Sequence, residues 1–389
     1  MESLTGRHFL QIPGPTNVPD RVLSALAHPT IDHRSQEFQR LSHEVMEGVK
    51  RVAQASDPVF IFPSSGTGAW EAALVNTLSS GDRVVMFETG HFATLWYQMA
   101  RRWNIQVEFV PGDWRHGASI TALEEILHRD INRQIRAVMV VHNETSTGVC
   151  SSIGAIRQVM NAAGHPALLM VDTISSLGSI DYRHDEWGVD VTIGCSQKGL
   201  MLPPGIGFNI VSQKAWQASS SAHLPKSYWD WQAMRTTEQT GFFPYTPPTN
   251  LFYGLRESTR MLLEEGLPRV FARHTRLAEA TRRAVVGWGL ELLCANAGEY
   301  SQSLTAVIMP GGHDSTALCQ LAAEKFNLSL GQGLGKLQGR VFRIGHLGDL
   351  NELMLLGALG GLELAMRRAN IPIRPAGVHD AIDYLAKNV

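Results

Sequence analysis

The stretch Val189-Asp190-Val191-Thr192-Ile193-Gly194-Cys195-Ser196-Gln197-Lys198-Gly199 decides how this chain is read. Val189–Ile193 is apolar and β-branched, the composition of a buried strand. Pro203-Pro204-Gly205-Ile206-Gly207 follows as a rigid turn. Lys198, between the two, is held on stiff backbone near the interior. An amine with restricted hydration there loses its proton near neutral pH and can attack a carbonyl. Most lysines are solvated surface charges, so Lys198 taken alone reads as one of those. The rest of the chain has to supply the partners.

Outward from that stretch the pattern alternates. Apolar runs at Val59–Phe62, Arg83–Phe87, Val107–Val110, Ala137–Val141, Ala167–Val171, Val189–Ile193 and Phe208–Val211 read as strands. Helical stretches fall between most of them, at Ala69–Leu78, Phe92–Trp103, Ile120–His128 and Ile153–Ala163. Continuous apolar strands alternating with helices indicate an α/β fold whose mainly parallel sheet is covered on both faces. Ligands in such sheets sit at the carboxyl ends of the strands. Before this region, Phe9–Pro19 carries three prolines and reads as an extended arm, followed by helices at Val22–Leu26 and Glu37–Gln54. After a polar, Trp- and Tyr-rich stretch at Ser219–Pro248, helices are expected at Leu251–Glu265 and Leu267–Trp288. Strands follow at Leu290–Leu293, Thr305–Ile308 and Val341–Gly345, with a helix at Ser315–Lys325 and a last one at Asn351–Met366. The expected division is an arm over residues 1–20, a large domain over 21–266 and a smaller C-terminal α+β domain over 267–389.

The 389 residues suit one large domain plus a smaller one. Lys+Arg 34 against Asp+Glu 36 leaves a net charge of −2, so charge makes no case for nucleic acid or an anionic membrane. Cys150, Cys195, Cys294 and Cys319 form neither a CxxC pair nor a disulfide framework, which favours a reducing compartment. Met1–Arg7 carries no apolar leader, Lys387-Asn388-Val389 is no recognisable sorting signal and no run reaches membrane-spanning length, so a cytoplasmic location is expected.

Four expected strand ends carry polar residues. Ser64-Ser65-Gly66-Thr67-Gly68 before a helix offers donors and close backbone approach, a phosphate seat; taken alone, the loop reads more readily as a plain Ser/Gly helix cap. His142-Asn143-Glu144-Thr145 follows the strand ending at Val141. Asp172 follows five apolar residues and, buried, would need a cationic or hydrogen-bonded partner, unless it simply caps the next turn. The fourth end carries Lys198. A carboxylate, an amine and a phosphate seat at neighbouring strand ends fit one ligand, pyridoxal 5′-phosphate. Phe92 is placed to stack on its ring. Gly331-Gln332-Gly333-Leu334-Gly335-Lys336 lacks the Ser/Thr and the strand–turn–helix setting of a nucleotide loop.

On Pro13-Gly14-Pro15-Thr16-Asn17, Asp32-His33-Arg34-Ser35, Ser65–Gly68, His142–Thr145, Val171-Asp172, Ser196–Gly199, Phe243–Pro248 and Phe342-Arg343-Ile344-Gly345-His346, nearly the whole chain resembles the class V, fold-type I aminotransferases. Within them it resembles the serine–glyoxylate and alanine–glyoxylate branch. The resemblance implies the fold of that type, a large domain with a mainly parallel seven-stranded sheet beside the smaller domain. It implies transamination from an L-amino acid, L-serine foremost, to glyoxylate. Lys198 would form the Schiff base, Asp172 would pair the pyridine nitrogen, Thr145 would bond the ring hydroxyl side and Phe92 would stack on the ring. Thr67, Gly68 and Gln197 would hold the phosphate, joined by Tyr245 and Thr246 from the partner of a homodimer, although Phe243 competes with Tyr245 for that place. Arg343 would clamp the substrate α-carboxylate.

Aspartate and alanine present the same α-carboxylate as serine, so Arg343 does not separate the donors. For aspartate, Arg34 is the candidate second cation. A desulfurase would need a cysteine on a mobile loop, whereas Cys319 lies in a helical pattern and Cys150 in a turn. A nucleotide-dependent oxidoreductase would need the missing GxGxxG. No HExxH or HxH occurs, and His33, His91 and His142 read as makers of local hydrogen bonds, so no metal site is expected.

Overall fold

The computed structural model describes residues 6–388. Met1–Thr5 of the arm, and with it most of the stretch read for a leader, lies outside the described residues, as does Val389. Among the described residues, fourteen strands occur in chain order: β1 (Phe9–Gln11), β2 (Val59–Ser64), β3 (Arg83–Phe87), β4 (Gln106–Val110), β5 (Ile135–Val141), β6 (Asn143–Glu144) and β7 (Val149–Cys150); then β8 (Leu168–Asp172), β9 (Val191–Cys195), β10 (Gly205–Val211), β11 (Glu291–Leu292), β12 (Leu304–Ile308), β13 (Leu328–Gln332) and β14 (Val341–Gly345). Seven of them form one sheet in the order β2-β10-β9-β8-β5-β3-β4. All neighbours are parallel except β10, which runs against both β2 and β9. The fold is therefore α/β with a large, mainly parallel sheet.

Alternation along the strands builds a core on each face. Leu169 and Val171 of β8 join Phe38, Leu41 and Val45 of the helix Gln36–Ala53. Leu168 and Met170 join Trp70 and Leu74 of the helix Gly66–Thr77. That second helix is Ala-rich, and the small side chains of Ala69, Ala72 and Ala73 let it lie close on the sheet. At β10, a Cβ on Gly207 would come within 2.6 Å of the Ser65 carbonyl.

A second sheet runs β1-β13-β14-β12-β11, with β1 parallel to β13 and the other pairs antiparallel. Its core includes Phe342, Ile344, Leu355 and Leu359. Three sequence expectations change here. Phe9–Gln11 is an edge strand of this sheet, because Phe9, Leu10 and Gln11 pair with Leu328, Ser329 and Leu330. The helix near Asn351 runs over Glu352–Arg368 and is not the last, since Gly377–Asn388 packs after it through Ala381 and Leu385. The turn after Lys198 is only Pro203-Pro204, because Gly205–Gly207 already pair with Ser64–Phe62. The four cysteines are free. Among the described residues, no helix is long and apolar enough to cross a membrane.

Candidate active site

Asp172 ends β8, and its direction follows from the pleat. It shares parity with Leu168 and Met170, so it faces the helix Gly66–Thr77. There the Trp70 indole Nε1–H donates to Asp172 Oδ2 at 2.9 Å, and the Ile174 backbone N–H donates to Oδ1 at 2.7 Å. Neither donor is a cation. Burial pushes the carboxyl up to about 7; the two N–H donors oppose this, Glu144 adds to it and Lys198 works against it.

The next strand, β9, leads into the Ser196–Pro203 loop. The loop is closed by Leu202 N–H donating to the Ser196 carbonyl at 3.1 Å and by Ser196 Oγ donating to the Pro203 carbonyl at 2.8 Å. Lys198 is fixed at its centre. Burial pushes its amine down to about 8; Arg343 acts the same way, and Cys195 and Asp172 act against it. What Lys198 leaves exposed lies on the wall of a cavity of about 180 Å³. Ser65, Gly66, Thr67, Trp70, Phe92, Thr145, Asp172 and Gln197 share that wall.

The structure thus brings six of the residues given a role in the sequence, Thr67, Phe92, Thr145, Asp172, Gln197 and Lys198, onto one wall and leaves others apart. The helix after β2 starts at Gly66, so Thr67 and Gly68 belong to its first turn rather than to a free loop. Gly68 is not on the cavity wall. A Cβ there would collide with Ser64 Oγ and the Trp229 ring, so the helix start packs tightly only with glycine. The Gln197 side-chain oxygen is buried and meets no donor among the described residues. Arg343 lies in the middle of β14, buried, just behind the wall. Its guanidinium donates to the Gln332 carbonyl from Nε at 3.0 Å and Nη2 at 2.7 Å, and to the Thr145 carbonyl from Nη1 at 2.8 Å. These three bonds leave two of its five N–H groups free. Burial lowers it to about 10, which leaves it cationic at neutral pH.

Tyr245 and Thr246 do not reach the cavity of their own chain. The Tyr245 hydroxyl donates to the Ile61 carbonyl, and its ring stacks on Tyr228 at 5.1 Å. Thr246 is exposed. Phe243 packs edge-on against Phe252 at 5.4 Å. Arg34 is exposed and off the wall. His142 is buried with Nδ1 2.9 Å from Ser176 Oγ, the local bond expected of it. One group among the described residues has the makeup of a cation site: Asp57, His184 and Asp185. Its polar atoms are already occupied. His184 bonds Asp57 and Thr192, and Asp185 accepts the Ser56 N–H.

Three contributors went unrecognised in the sequence. Trp70, the donor to Asp172, is the one aromatic residue of an Ala-rich helix. Glu144 was visible only as part of a polar cluster. Its carboxylate, fully buried, accepts the backbone N–H groups of Phe92 at 3.3 Å and Ala93 at 3.0 Å, with Ser146 Oγ–H at 2.7 Å. It thereby caps the helix His91–Arg102 and holds Phe92 at the wall. The third is Pro13 of the arm, whose carbonyl accepts a hydrogen bond from Lys198 Nζ at 2.9 Å. The discounted Gly331–Lys336 motif supplies the Gln332 carbonyl that holds Arg343.

Residues 8–338 match the family model Aminotransferase class-V. The chain belongs to the class-V aminotransferases. It is 48% identical to the serine–glyoxylate aminotransferase of Methylorubrum extorquens, over 98% of this chain and 97% of that one. It is 45% identical to the L-aspartate–glyoxylate aminotransferase of Paracoccus denitrificans, over 95% of this chain and 94% of that one. The crystal structure of pyridoxamine–pyruvate aminotransferase from Mesorhizobium loti superposes with a TM-score of 0.93 at 26% identity, covering 99% and 98% of the two chains. In this class-V aminotransferase the cavity lies where the α/β rule places a ligand, at the carboxyl ends of β2, β5, β8 and β9.

Proposed function

We propose that this chain moves the α-amino group of an L-amino acid, L-serine foremost, to glyoxylate, with pyridoxal 5′-phosphate as its cofactor; from serine the products are glycine and hydroxypyruvate. The observation that carries the reading is that the Lys198 amine and the Asp172 carboxylate, at the ends of neighbouring parallel strands, open onto one cavity. The residues there suit the cofactor. The Asp172 carboxylate faces the wall with N–H donors but no cation bonded to it, as a partner for a protonated ring nitrogen would be. The helix start at Gly66-Thr67 offers backbone donors to a phosphate, and Gln197, whose buried side-chain oxygen meets no donor among the described residues, lies on the same wall. When bound, the cofactor supplies an electron-poor ring that takes up the electron pair left at the substrate α-carbon.

The chain's own part is binding and proton handling. The two free N–H groups of Arg343 suit a substrate carboxylate, and its bonds to Gln332 and Thr145 fix the plane of the fork. Phe92 offers a flat apolar face and Thr145 a hydroxyl on the same wall. The Lys198 amine, with its affinity for protons lowered by burial, removes the α-proton and returns it. A homodimer is part of the proposal: Thr246 is exposed on the chain that carries it, and from a partner it and Tyr245 would reach the phosphate seat. The free cysteines favour a cytoplasmic location.

A panel of serine, aspartate and alanine with glyoxylate tests the donor. Serine is expected to react fastest, with borohydride bleaching the yellow colour of the purified protein. A colourless protein inactive with all three donors would refute the proposal. A second reading takes aspartate as donor and rests on the aspartate-named relative at 45% identity; aspartate outpacing serine would establish it. Dilution that yields fully active monomers would exclude the shared site.

A further inference from the structure

We propose that the Pro13 carbonyl is a positioning group for the Lys198 amine, so that the amino-terminal arm belongs to the catalytic machinery of its own chain. The inference rests on the reading of Lys198 as the reactive amine. Lys198 Nζ donates to Pro13 O at 2.9 Å. A carbonyl oxygen can only accept, so it ties down one N–H of the amine. A flexible four-carbon side chain would otherwise leave the lone pair free to sample many directions. With the amine held by Pro13 and, more loosely, by the Gly14 carbonyl at 3.5 Å, the nitrogen is anchored to the arm and the orientation needed for proton transfer is set in advance.

The contact is built from several sides. Thr16 N–H donates to the Gln197 carbonyl at 3.2 Å, and Thr16 Oγ1 donates to the Lys198 carbonyl at 3.1 Å, so the arm runs along the lysine's own backbone. Gly14 adopts φ +107, and a Cβ there would lie 2.3 Å from Lys198 Cδ and 2.7 Å from Nζ. The glycine therefore serves the lysine as much as the turn. At its other end the arm is fastened to the second sheet. β1 pairs with β13, Gln11 Nε2 donates to the Gly345 carbonyl, and a Cβ on Gly345 would lie 2.2 Å from the Ile12 carbonyl. Pro13 is thus suspended between two anchored points, one on the second sheet and one on the loop after β9. The charged and titratable groups facing Lys198 from the other elements are Asp172 of β8, Cys195 of β9 and Arg343 of β14. None of them lies on the arm, so altering the arm leaves them in place.

The test compares Gly14→Ala with Gly81→Ala. Gly81 also has a left-handed φ, of +88, but nothing within 4 Å of the added Cβ, so it carries the backbone strain without touching the lysine. Cofactor-free protein is trace-labelled with acetic anhydride across pH, and Lys198 acetylation is read by mass spectrometry. Loss of the carbonyl acceptor removes a partner that favours the ammonium, so in Gly14→Ala the labelling midpoint should fall by about one pH unit. The turnover rate with saturating donor should fall about tenfold while KM for the donor holds. Gly81→Ala should match the parent in both. Thr16→Val, which frees the Lys198 carbonyl without strain, should shift the midpoint in the same direction by less, and decides the matter if Gly14→Ala does not fold. A midpoint unchanged or raised would overturn the inference. If borohydride still fixes a cofactor on Lys198 in that case, only the role of the arm is lost. If borohydride fixes nothing in the parent protein, the reading of Lys198 itself has failed.

Discussion

Two aspartate–lysine sets stand at opposite ends of the large sheet, and they differ in what surrounds the carboxylate. Asp190, just before β9, is buried and saturated: it accepts from Arg157 at 2.8 Å, from the Leu169 N–H at 2.8 Å, from Ser212 at 3.1 Å and from Lys214 at 3.5 Å. Lys214 in turn donates to the Ala167 carbonyl at 2.7 Å and keeps much of its side chain in water. Asp172, at the far end of the neighbouring strand, is as deeply buried but, among the described residues, bonds only an indole N–H and a backbone N–H. A carboxylate neutralised by its own chain holds the fold together. One buried with neutral donors keeps a raised affinity for positive charge, which a ligand can use. The residue types are the same at both ends, so the partners decide which set can do chemistry.

The comparison can be broken by substitution, with the largest effects at the Asp172 end. Lys198→Ala should lower transamination by about a thousandfold or more, since it removes both the attachment point and the base, and single-turnover rates with serine would reveal it. Asp172→Asn should lower the same rate about a hundredfold. Its thermal midpoint should hold or rise, because a desolvated carboxylate without a cation is replaced by a neutral amide. Asp190→Ala should do the reverse. Arg157 and Lys214 are left without their carboxylate, stability measured by urea unfolding falls by about 2–4 kcal/mol, and turnover per folded molecule is unchanged. Loss of turnover without loss of stability in Asp190→Ala would erase the distinction drawn here.

The smallest effect is on pH dependence. Unfolded Lys198 keeps its proton up to its ordinary value of 10.5, whereas the folded amine releases it near 8. Between those values the unfolded chain binds more protons, so stability of the cofactor-free protein should climb as pH rises from about 8, with no change from this group below that. Urea midpoints across this range should show a shallower climb in Lys198→Met than in the parent. Identical slopes would mean that burial does not depress the amine.

Much of the fold was legible because its strands are continuous apolar runs, and Asp172 ends one of them while Lys198 follows another, where a parallel sheet presents ligands. Phe9–Gln11 was legible as extended chain but not as a strand, because three prolines lie nearby and the strand exists through its pairing with Leu328–Leu330. Gly377–Asn388 was missed because it follows a proline-rich connection and is secured by contacts with the helix Leu267–Gly287, such as the close approach of Asp380 to Gly287. Trp70 and Glu144 were unreadable as site residues, because an indole N–H or a carboxylate announces its partner only when the chain has folded. Glu144 reaches Phe92 across 52 positions and Trp70 reaches Asp172 across 102.

The sequence by itself determined the alternation of strands and helices that builds the large sheet, its cover on both faces and the kinds of group available at its strand ends, because those depend on local periodicity and residue chemistry. The tertiary structure alone decided which groups meet. It saturated Asp190 and left Asp172 to neutral donors, turned Tyr245 away from its own cavity, and laid the Pro13 carbonyl on the Lys198 amine across 185 positions of chain. Hydrogen-bond geometry and desolvation are set by distance in space, and only the folded chain assigns those distances.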